Sequence, residues 1–351
     1  MKRTEIIAWL KETNPDRLER LWRQADDTRR QCVGDEIHLR GLVEIGNYCV
    51  RSCGYCGLSV QGSHPQRYRM SESEIMDCAH QAETYGYGTA VLQAGEDPGL
   101  TAEFVESVVR RIKTETSLAV TLSLGERRDD ELARWRAAGA DRYLLRFETS
   151  DPELYETIHP SLPGVKSDRF ALLKRLRSMG YEIGSGVMIG IPGQTWEMLA
   201  TDIEMFAELD LDMIGVGPYI AHPDTPLGRD TRQAPDGQQA ANTEKMTYKV
   251  VALARLVCPA ANIPSTTALA TLNLAQGREL GLQRGANVVM PNLTPVQYRE
   301  FYEIYPAKAC IRETSSDCRR CMNMRILSIG RVPGTGRGDS PNYQKKARTA
   351  E

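Results

Sequence analysis

The 351-residue sequence contains no stretch approaching the eighteen or so apolar residues that a membrane-crossing helix needs, so a bilayer span is excluded. The opening residues, MKRTEIIAWLKETNPDRLER, break their short apolar run with charges and lack the central segment of a secretion signal. Nor is there an excess of one charge. The 44 Lys and Arg face 46 Asp and Glu, a net charge of -2, which leaves no electrostatic footprint for nucleic acid. With no export signal, the nine cysteines are expected in a reducing cytoplasm, where thiols bind metals more often than they pair.

What is present is concentrated in the cysteines. Cys49, Cys53 and Cys56 stand in CVRSCGYC, just past an apolar run that reads as a strand, and Gly54 lets the chain turn between them. A fourth cysteine is missing from this group. Three thiolates around four irons leave one iron open for chemistry, whereas a structural zinc asks for four protein ligands and the next histidine is His64. Cys310, Cys318 and Cys321 form a second group that suits another iron-sulfur site, 2Fe-2S or 4Fe-4S, near the surface; a redox pair or an adventitious zinc site is the other reading. Cys32, Cys78 and Cys258 stand alone and read as packed thiols.

Residues 4–31 carry apolar positions at helical spacing, broken near Asn14-Pro15, and read as a cap. After them, short β-rich runs alternate with amphipathic helical runs. Strands are expected at 39–45, 89–93, 118–124, 142–146, 184–189, 213–216, 263–265 and 286–290. Helices are expected at 72–85, 102–113, 129–138, 152–158, 169–179, 196–209, 244–256 and 275–281. Such alternation implies right-handed crossovers and a parallel sheet, and eight units fill a closed (β/α)8 barrel of the TIM type. A six-strand partial barrel and an open doubly wound sheet are the competitors. The expected layout is an N-terminal helical cap over 1–34, the barrel over 35–300, a segment with the second cysteine group over 301–330, and a flexible tail over 331–351. Polar and Gly-rich strings recur where strands should end: QAGED, SLGE, RFET, GIPGQ, HPDTP, STT and MPN. Each is weak alone, because strand-to-helix turns favour these residues anyway. Their convergence on one rim is informative, since catalytic groups of such barrels sit there.

The cysteine spacing resembles that of radical S-adenosylmethionine (SAM) enzymes. Several segments together resemble one branch, the maturases of the HydE type that act in assembling the active-site cluster of FeFe hydrogenases. They are VGDEIHLRGLVEIGNYC, RYRMSESEI, VLQAGEDP, TLSLGE, AGADRYLLRFET, MIGIPGQT, GVGPYIAHPDTPL, NIPSTTALAT, GANVVMPNLTP and the late cysteine group, covering residues 32 to 330. The resemblance implies a radical SAM barrel in which Cys49, Cys53 and Cys56 hold a 4Fe-4S cluster that SAM completes. Tyr55 would approach the adenine through its backbone, Glu96 would receive the SAM amino end, and Glu148 and Arg169 would hold the methionyl part. A guanidinium fork such as that of Arg169 suits a carboxylate. Thr121, Arg146, Thr266 and Thr267 match an anion pocket, with Tyr302 and Tyr305 at its far end. The implied substrate is a small iron complex bearing carbon monoxide, cyanide and cysteine. The implied partners are an electron donor such as a ferredoxin or flavodoxin and other hydrogenase maturation proteins.

The runner-up is a methylornithine synthase, a radical SAM mutase of lysine, which should present groups of both signs where the maturase presents an anion pocket. Biotin synthase fits less well because its second cluster uses strand cysteines. A non-catalytic iron-sulfur carrier would leave the rim charges unexplained. Phe147 and Leu293 depart from the family, standing where a histidine and a tryptophan can occur. His222, flanked by proline, reads as structural, and the Arg337-Gly338-Asp339 triplet reads as chance in the tail.

Overall fold

The computed structural model describes residues 1–61, 66–230 and 234–350, so His64 lies outside the described residues. Two helices open the chain, α1 (Arg3–Lys11) and α2 (Pro15–Val33). The break between them has a local cause. The Asn14 side chain accepts from the amides of Asp16 and Arg17 at 3.0 and 3.1 Å, and Pro15 fits the first turn because its position needs no amide donor.

The alternating region follows as β1 (Glu36–Gly46), α3 (Glu72–Thr84), β2 (Thr89–Ala94), α4 (Ala102–Glu115), β3 (Ala119–Ser123), α5 (Asp129–Ala137) and β4 (Arg142–Leu144). It continues with α6 (Pro152–Ile158), α7 (Arg169–Ser178), β5 (Glu182–Ser185), β6 (Met188–Ile189), α8 (Trp196–Glu208), β7 (Met213–Ile214), β8 (Gly217–Pro218) and α9 (Glu244–Val257). Then come α10 (Thr267–Leu272), α11 (Gly277–Leu282), β9 (Val288–Val289), α12 (Val296–Arg299), α13 (Ser315–Ser328), β10 (Val332–Pro333) and α14 (Pro341–Ala350). Side-chain caps start many of the helices: Ser71 with Glu74 in a capping box on α3, Asp151 on α6, Asp168 on α7 and Thr243 on α9. The cap helices α1 and α2 lie on the outside against α8 and α9, burying Ile6, Leu10, Leu21 and Ala25.

β1 to β5 pair in chain order, all parallel, β5 pairs with β7, and β9 pairs with the other side of β1. This is the cupped parallel sheet of a TIM-type fold. The expected strand at 263–265 does not form as a regular strand. Only isolated bridges, Met213 to Asn262 and Pro264 to Val288, span the gap between β7 and β9. Pro264 has no amide to give a ladder. The side chain of Asn287 substitutes, accepting from the Ile263 amide at 2.9 Å and donating to Asn262 at 2.8 Å. The expected strands at 184–189 and 213–216 are each split in two. The break falls at Gly186 and Gly215, whose backbones approach so closely that a Cβ on Gly186 would overlap the Gly215 carbonyl.

The tail expected to be flexible is instead built into the fold. β10 pairs with β1 at Glu36 and Ile37, and on α14 Asn342 donates to Asp212 at 3.0 Å while the Tyr343 hydroxyl donates to the Gly180 carbonyl at 3.1 Å. Its Arg337-Gly338-Asp339 triplet meets buried polar groups on the strands, which is why it is ordered. Among the described residues no helix is long and apolar enough to cross a membrane.

Side chains alternate across each strand, so His38, Arg40, Leu42 and Glu44 of β1 share the concave face. Their partners agree: Arg40 reaches Met213 across the cup, and Glu44 meets Asn292 and Lys308. The concave side is therefore polar at both ends of the strands.

Candidate functional site

The strands deliver their carboxyl ends to one rim. β1 ends at Gly46, and the buried Asn47 that follows holds the neighbouring loops: its Nδ2 donates to the carbonyls of Gln66 and Phe301 at 2.8 and 2.7 Å, and its Oδ1 accepts from the Tyr68 amide at 2.8 Å. The cysteine loop is then tied down along its length. The amides of Val50, Gly54 and Gly57 donate to the carbonyls of Glu96, Ile158 and Ile304 at 2.9, 2.8 and 3.1 Å. Gly95 is required by this approach, since a Cβ there would lie 2.7 Å from that of Cys49 and overlap the Tyr48 carbonyl.

Cys49, Cys53 and Cys56 are all unpaired, and Cys53 is buried. Burial pushes all three thiols up, Cys56 to about 12, and Cys53 is raised further by Cys56 and Cys49. Among the described residues no three His, Cys, Asp or Glu side chains are grouped as they would be around a single metal ion. A cubane takes each thiolate on a different iron, so its ligands stay farther apart than those of one ion.

Around the loop runs a chain of buried charges. Arg51, inside the cysteine motif, donates from Nε to Glu96 at 2.7 Å and lies 3.3 Å from Glu126 through Nη2. Glu126 also accepts from Arg169 at 2.9 Å and from Ser167 at 2.5 Å. The Asp168 cap places Arg169 at the first position of α7, aimed back at the rim, where its Nη2 meets His159 at 2.6 Å. Glu96 and Arg169, expected to face SAM directly, are thus paired with protein groups. Burial raises the Glu96 carboxyl despite Arg51, whereas Arg169 beside Glu126 keeps that carboxyl low.

Glu148 follows β4 with a left-handed φ of 62°, a conformation that costs a non-glycine residue on the order of 1 kcal/mol and recurs at functional sites. Its Oε1 accepts from the Tyr55 hydroxyl at 3.5 Å; its buried Oε2 sits 3.1 Å from Arg146 as an ion pair but makes no hydrogen bond. Arg51 Nη1, Arg146 Nε and Thr121 Oγ1 are likewise buried without partners. Buried polar atoms left open in this way mark places where a bound molecule completes the bonding.

Below the rim, Arg146 reaches the Val187 carbonyl at 2.5 Å. Thr121 is deeper: it shares a row with Arg142 and Glu182, two side-chain repeats below Arg146. Thr266 caps α10, its hydroxyl 3.4 Å from the Leu269 amide, and Thr267 begins that helix. Tyr302 is buried near Glu44, Gln93 and Cys56, and Tyr305 near Thr271, Arg278, Glu44 and Arg146; burial raises both phenols. Lys308 pairs with Glu44, and its ammonium lies 5.0 Å from the centre of the Tyr302 ring. The interior therefore carries both signs of charge, and the expectation of an anion-only pocket is corrected: Glu44 on β1 and Glu148 after β4 bring carboxylates to it.

A cavity of about 10 Å³, room for roughly one water, lies between α13 and the sheet, lined by Thr267, Arg278, Lys308, Cys310 and Cys318. With Cys318 and Arg278 nearby, the Cys310 thiol falls to about 6 while that of Cys318 rises. Cys321 sits one turn on, exposed, accepting from Arg325 at 3.3 Å. His222 holds its own turn, its Nδ1 accepting from the Asp224 amide at 3.2 Å. Sequence reasoning missed Arg51, His159, Arg278 and Lys308 and gave Glu126 no role. Arg51 and Glu126 stood inside quoted motifs; the other three carried no pattern.

Three unpaired thiols on a rim loop of a cupped parallel sheet, beside a chain of buried charges, suit a radical SAM enzyme, and residues 43–206 match the Radical SAM superfamily. Within that class the chain belongs to the HydE family of FeFe hydrogenase maturases. It is 43% identical over 316 residues, 90% of this chain and 87% of the relative, to the FeFe hydrogenase maturase subunit HydE of Thermotoga maritima. It is 28% identical over 290 residues, 81% of this chain and 77% of the relative, to 3-methylornithine synthase of Methanosarcina acetivorans. The crystal structure of methylornithine synthase (PylB) superimposes with a TM-score of 0.81 at 23% identity, covering 99% of this chain and 96% of that one, which shows the shared fold.

The superfamily implies a 4Fe-4S cluster and SAM. The residues fit both: three unpaired thiols stand on one short loop, and Arg51 Nη1 and Glu148 Oε2 are buried with unused bonding capacity.

Proposed function

We propose that this chain matures FeFe hydrogenase by cleaving SAM reductively and turning the radical on a small iron precursor bearing carbon monoxide, cyanide and cysteine. The observation that carries the proposal is the 43% identity sustained over 90% of the chain. In this reading Cys49, Cys53 and Cys56 hold the cluster. Tyr55, Glu96, Glu148 and Arg169 serve SAM, with Glu148 the best placed because its free oxygen is buried and Glu96 and Arg169 acting through Arg51 and Glu126. When bound, cluster and SAM together supply one electron and a 5'-deoxyadenosyl radical. The chain's own contribution is to bind, orient and exclude water.

Arg146 and Thr121, with unpartnered polar atoms, offer donors to an anionic or cyanide-bearing substrate, and in this reading Thr266, Thr267, Tyr302 and Tyr305 would line the same space. Complete closure of the (β/α)8 barrel through the bridges at Asn262 and Pro264 fits this role. So does a division into a helical cap over 1–34, a barrel over 35–300 and an appended segment over 301–330. A second iron-sulfur site at Cys310, Cys318 and Cys321, a ferredoxin or flavodoxin as donor, contact with other maturation proteins and a cytoplasmic setting belong to the same proposal.

A second reading, a lysine mutase of the methylornithine synthase type, draws support from the mixed charge of the interior, where Glu44 and Glu148 stand among Arg146, Arg278 and Lys308. One experiment separates them. The gene should restore hydrogenase activity in a host lacking its own HydE-type maturase, and purified protein given lysine and SAM should release no methylornithine. No restoration together with methylornithine formation would reverse the assignment.

A further inference from the structure

At the end of the cup opposite the cysteine loop, the amino ends of the strands turn polar groups inward: the half-buried His38 and, all buried, Arg40 from β1, Thr89 from β2, Arg142 from β4, Glu182 from β5, and Asn262 beyond β7. Left to themselves these donors and acceptors would hold a column of water leading into the interior. The C-terminal segment takes that place. The Arg337 carbonyl accepts from the Thr89 hydroxyl and from Arg142, each at 2.9 Å. The Gly338 carbonyl accepts from Arg40 at 3.1 Å and from Asn262 at 3.0 Å. The Asp339 carboxylate pairs with Arg142, whose Nε is held by Glu182 at 2.6 Å, and the Ser340 amide donates to the other oxygen of Glu182 at 3.0 Å.

The fit is close as well as polar. Gly338 has φ +63°, and a Cβ there would lie 2.8 Å from the His38 ring; a Cβ on Gly88 would overlap the Gly336 carbonyl. Both ends of the segment are anchored. The Gly334 amide donates to the Ile37 carbonyl at 2.8 Å beside β10, and the Ser340 hydroxyl donates to the Ala260 carbonyl at 2.9 Å before α14.

We propose that residues 336–340 are the floor of the reaction chamber, a C-terminal plug that closes the amino-end mouth of the cup so that reactive species and water pass only at the rim. The inference rests on the radical reading above for its purpose, since a radical chamber needs solvent excluded. The closure itself rests on the bonds just given, which reach four strands, β1, β2, β4 and β5, and Asn262 beyond them. Asp339 and Gly338 are positioning residues here, and the Arg337 side chain braces Asp339 from outside, its Nε donating to the Asp339 carboxylate at 3.1 Å and its Nη2 to Asp141 at 2.7 Å.

The test uses full-length, cluster-loaded protein with Gly338→Val, Asp339→Asn and, as control, Arg23→Ala, on the exposed face of α2 beside Glu19. Hydrogen exchange by mass spectrometry should show amides at 89–91 and 142–144 exchanging about tenfold faster in Gly338→Val and Asp339→Asn, with the rim loop at 49–56 unchanged, which distinguishes an opened floor from a protein that has failed to fold. The 5'-deoxyadenosine formed per substrate converted should rise about threefold in the same two variants and stay at the wild-type ratio in Arg23→Ala. Unchanged exchange in both plug variants overturns the proposal, as does faster exchange at a wild-type ratio. Wild-type protein that forms no 5'-deoxyadenosine overturns the radical reading instead, while the exchange pattern still judges the closure.

Discussion

Arg51 joins two carboxylates that would otherwise repel one another beside the cysteine loop. It is almost fully buried, bonded to Glu96 and facing Glu126, with one nitrogen free. Removing one partner of a buried ionic group leaves the others desolvated and unpaired, at a cost of about 3 kcal/mol or more. Arg51→Ala should therefore lower the urea midpoint and weaken SAM binding at least about tenfold, about 1.4 kcal/mol. Arg51→Lys should recover stability better than SAM affinity, because an ammonium replaces the charge but not the fork. Equilibrium dialysis of SAM against the reconstituted variants checks this, and wild-type affinity in Arg51→Ala would show that the charge chain plays no part at the site. At this scale the residue types were visible from the start, since Arg51 sits between the cysteines and Glu126 closes SLGE. Which charge meets which is a tertiary fact, and the pairing of Glu96 with Arg51 follows from the loop's tie to β2 rather than from any spacing along the chain.

Among the elements, the contact between the loop after β2 and the cysteine loop is the most demanding. Gly95→Ala would place a methyl group against Cys49 and the Tyr48 carbonyl, so the loop must shift. The variant should remain folded, with near-wild-type circular dichroism, yet bind markedly less iron after anaerobic reconstitution. Full iron content per chain would mean that the loop tolerates displacement. Most elements were legible because apolar runs and caps announced them: Ser71, Asp151, Asp168 and Thr243 all stand where helices begin. The region around 263–265 was not, since its apolar pattern reads as a strand while Pro264 withholds the amide that a ladder needs. The last twenty residues were misread for another reason. The plug works largely through the carbonyls of Arg337 and Gly338, and no side-chain pattern reveals a backbone acceptor.

Across the whole molecule, the two ends of the cup divide the work: the rim gathers thiols and charges, and the floor seals. His38 reports on the floor. Half-buried there near Arg40, Arg142 and Asp339, with Glu36 close to the adjoining Gly334, its imidazole is pushed down to about 4, chiefly by desolvation. Between about pH 4 and 6.5 the unfolded chain binds a proton at this residue that the folded chain does not. Its contribution to stability is thus full above 6.5 and declines as the pH falls toward 4. His38→Gln should flatten that part of the profile of urea midpoints against pH; a slope identical to wild type would place the imidazole in water instead.

The central claim is that Cys49, Cys53 and Cys56 hold a cluster that cleaves SAM. The most direct measurement is anaerobic reconstitution with iron and sulfide, reduction by dithionite in the presence of SAM, and quantification of 5'-deoxyadenosine, run beside Cys53→Ala. The account predicts 5'-deoxyadenosine from the wild-type protein and none above background from the variant. Equal amounts from both, or none from a wild-type protein carrying its iron, would contradict it.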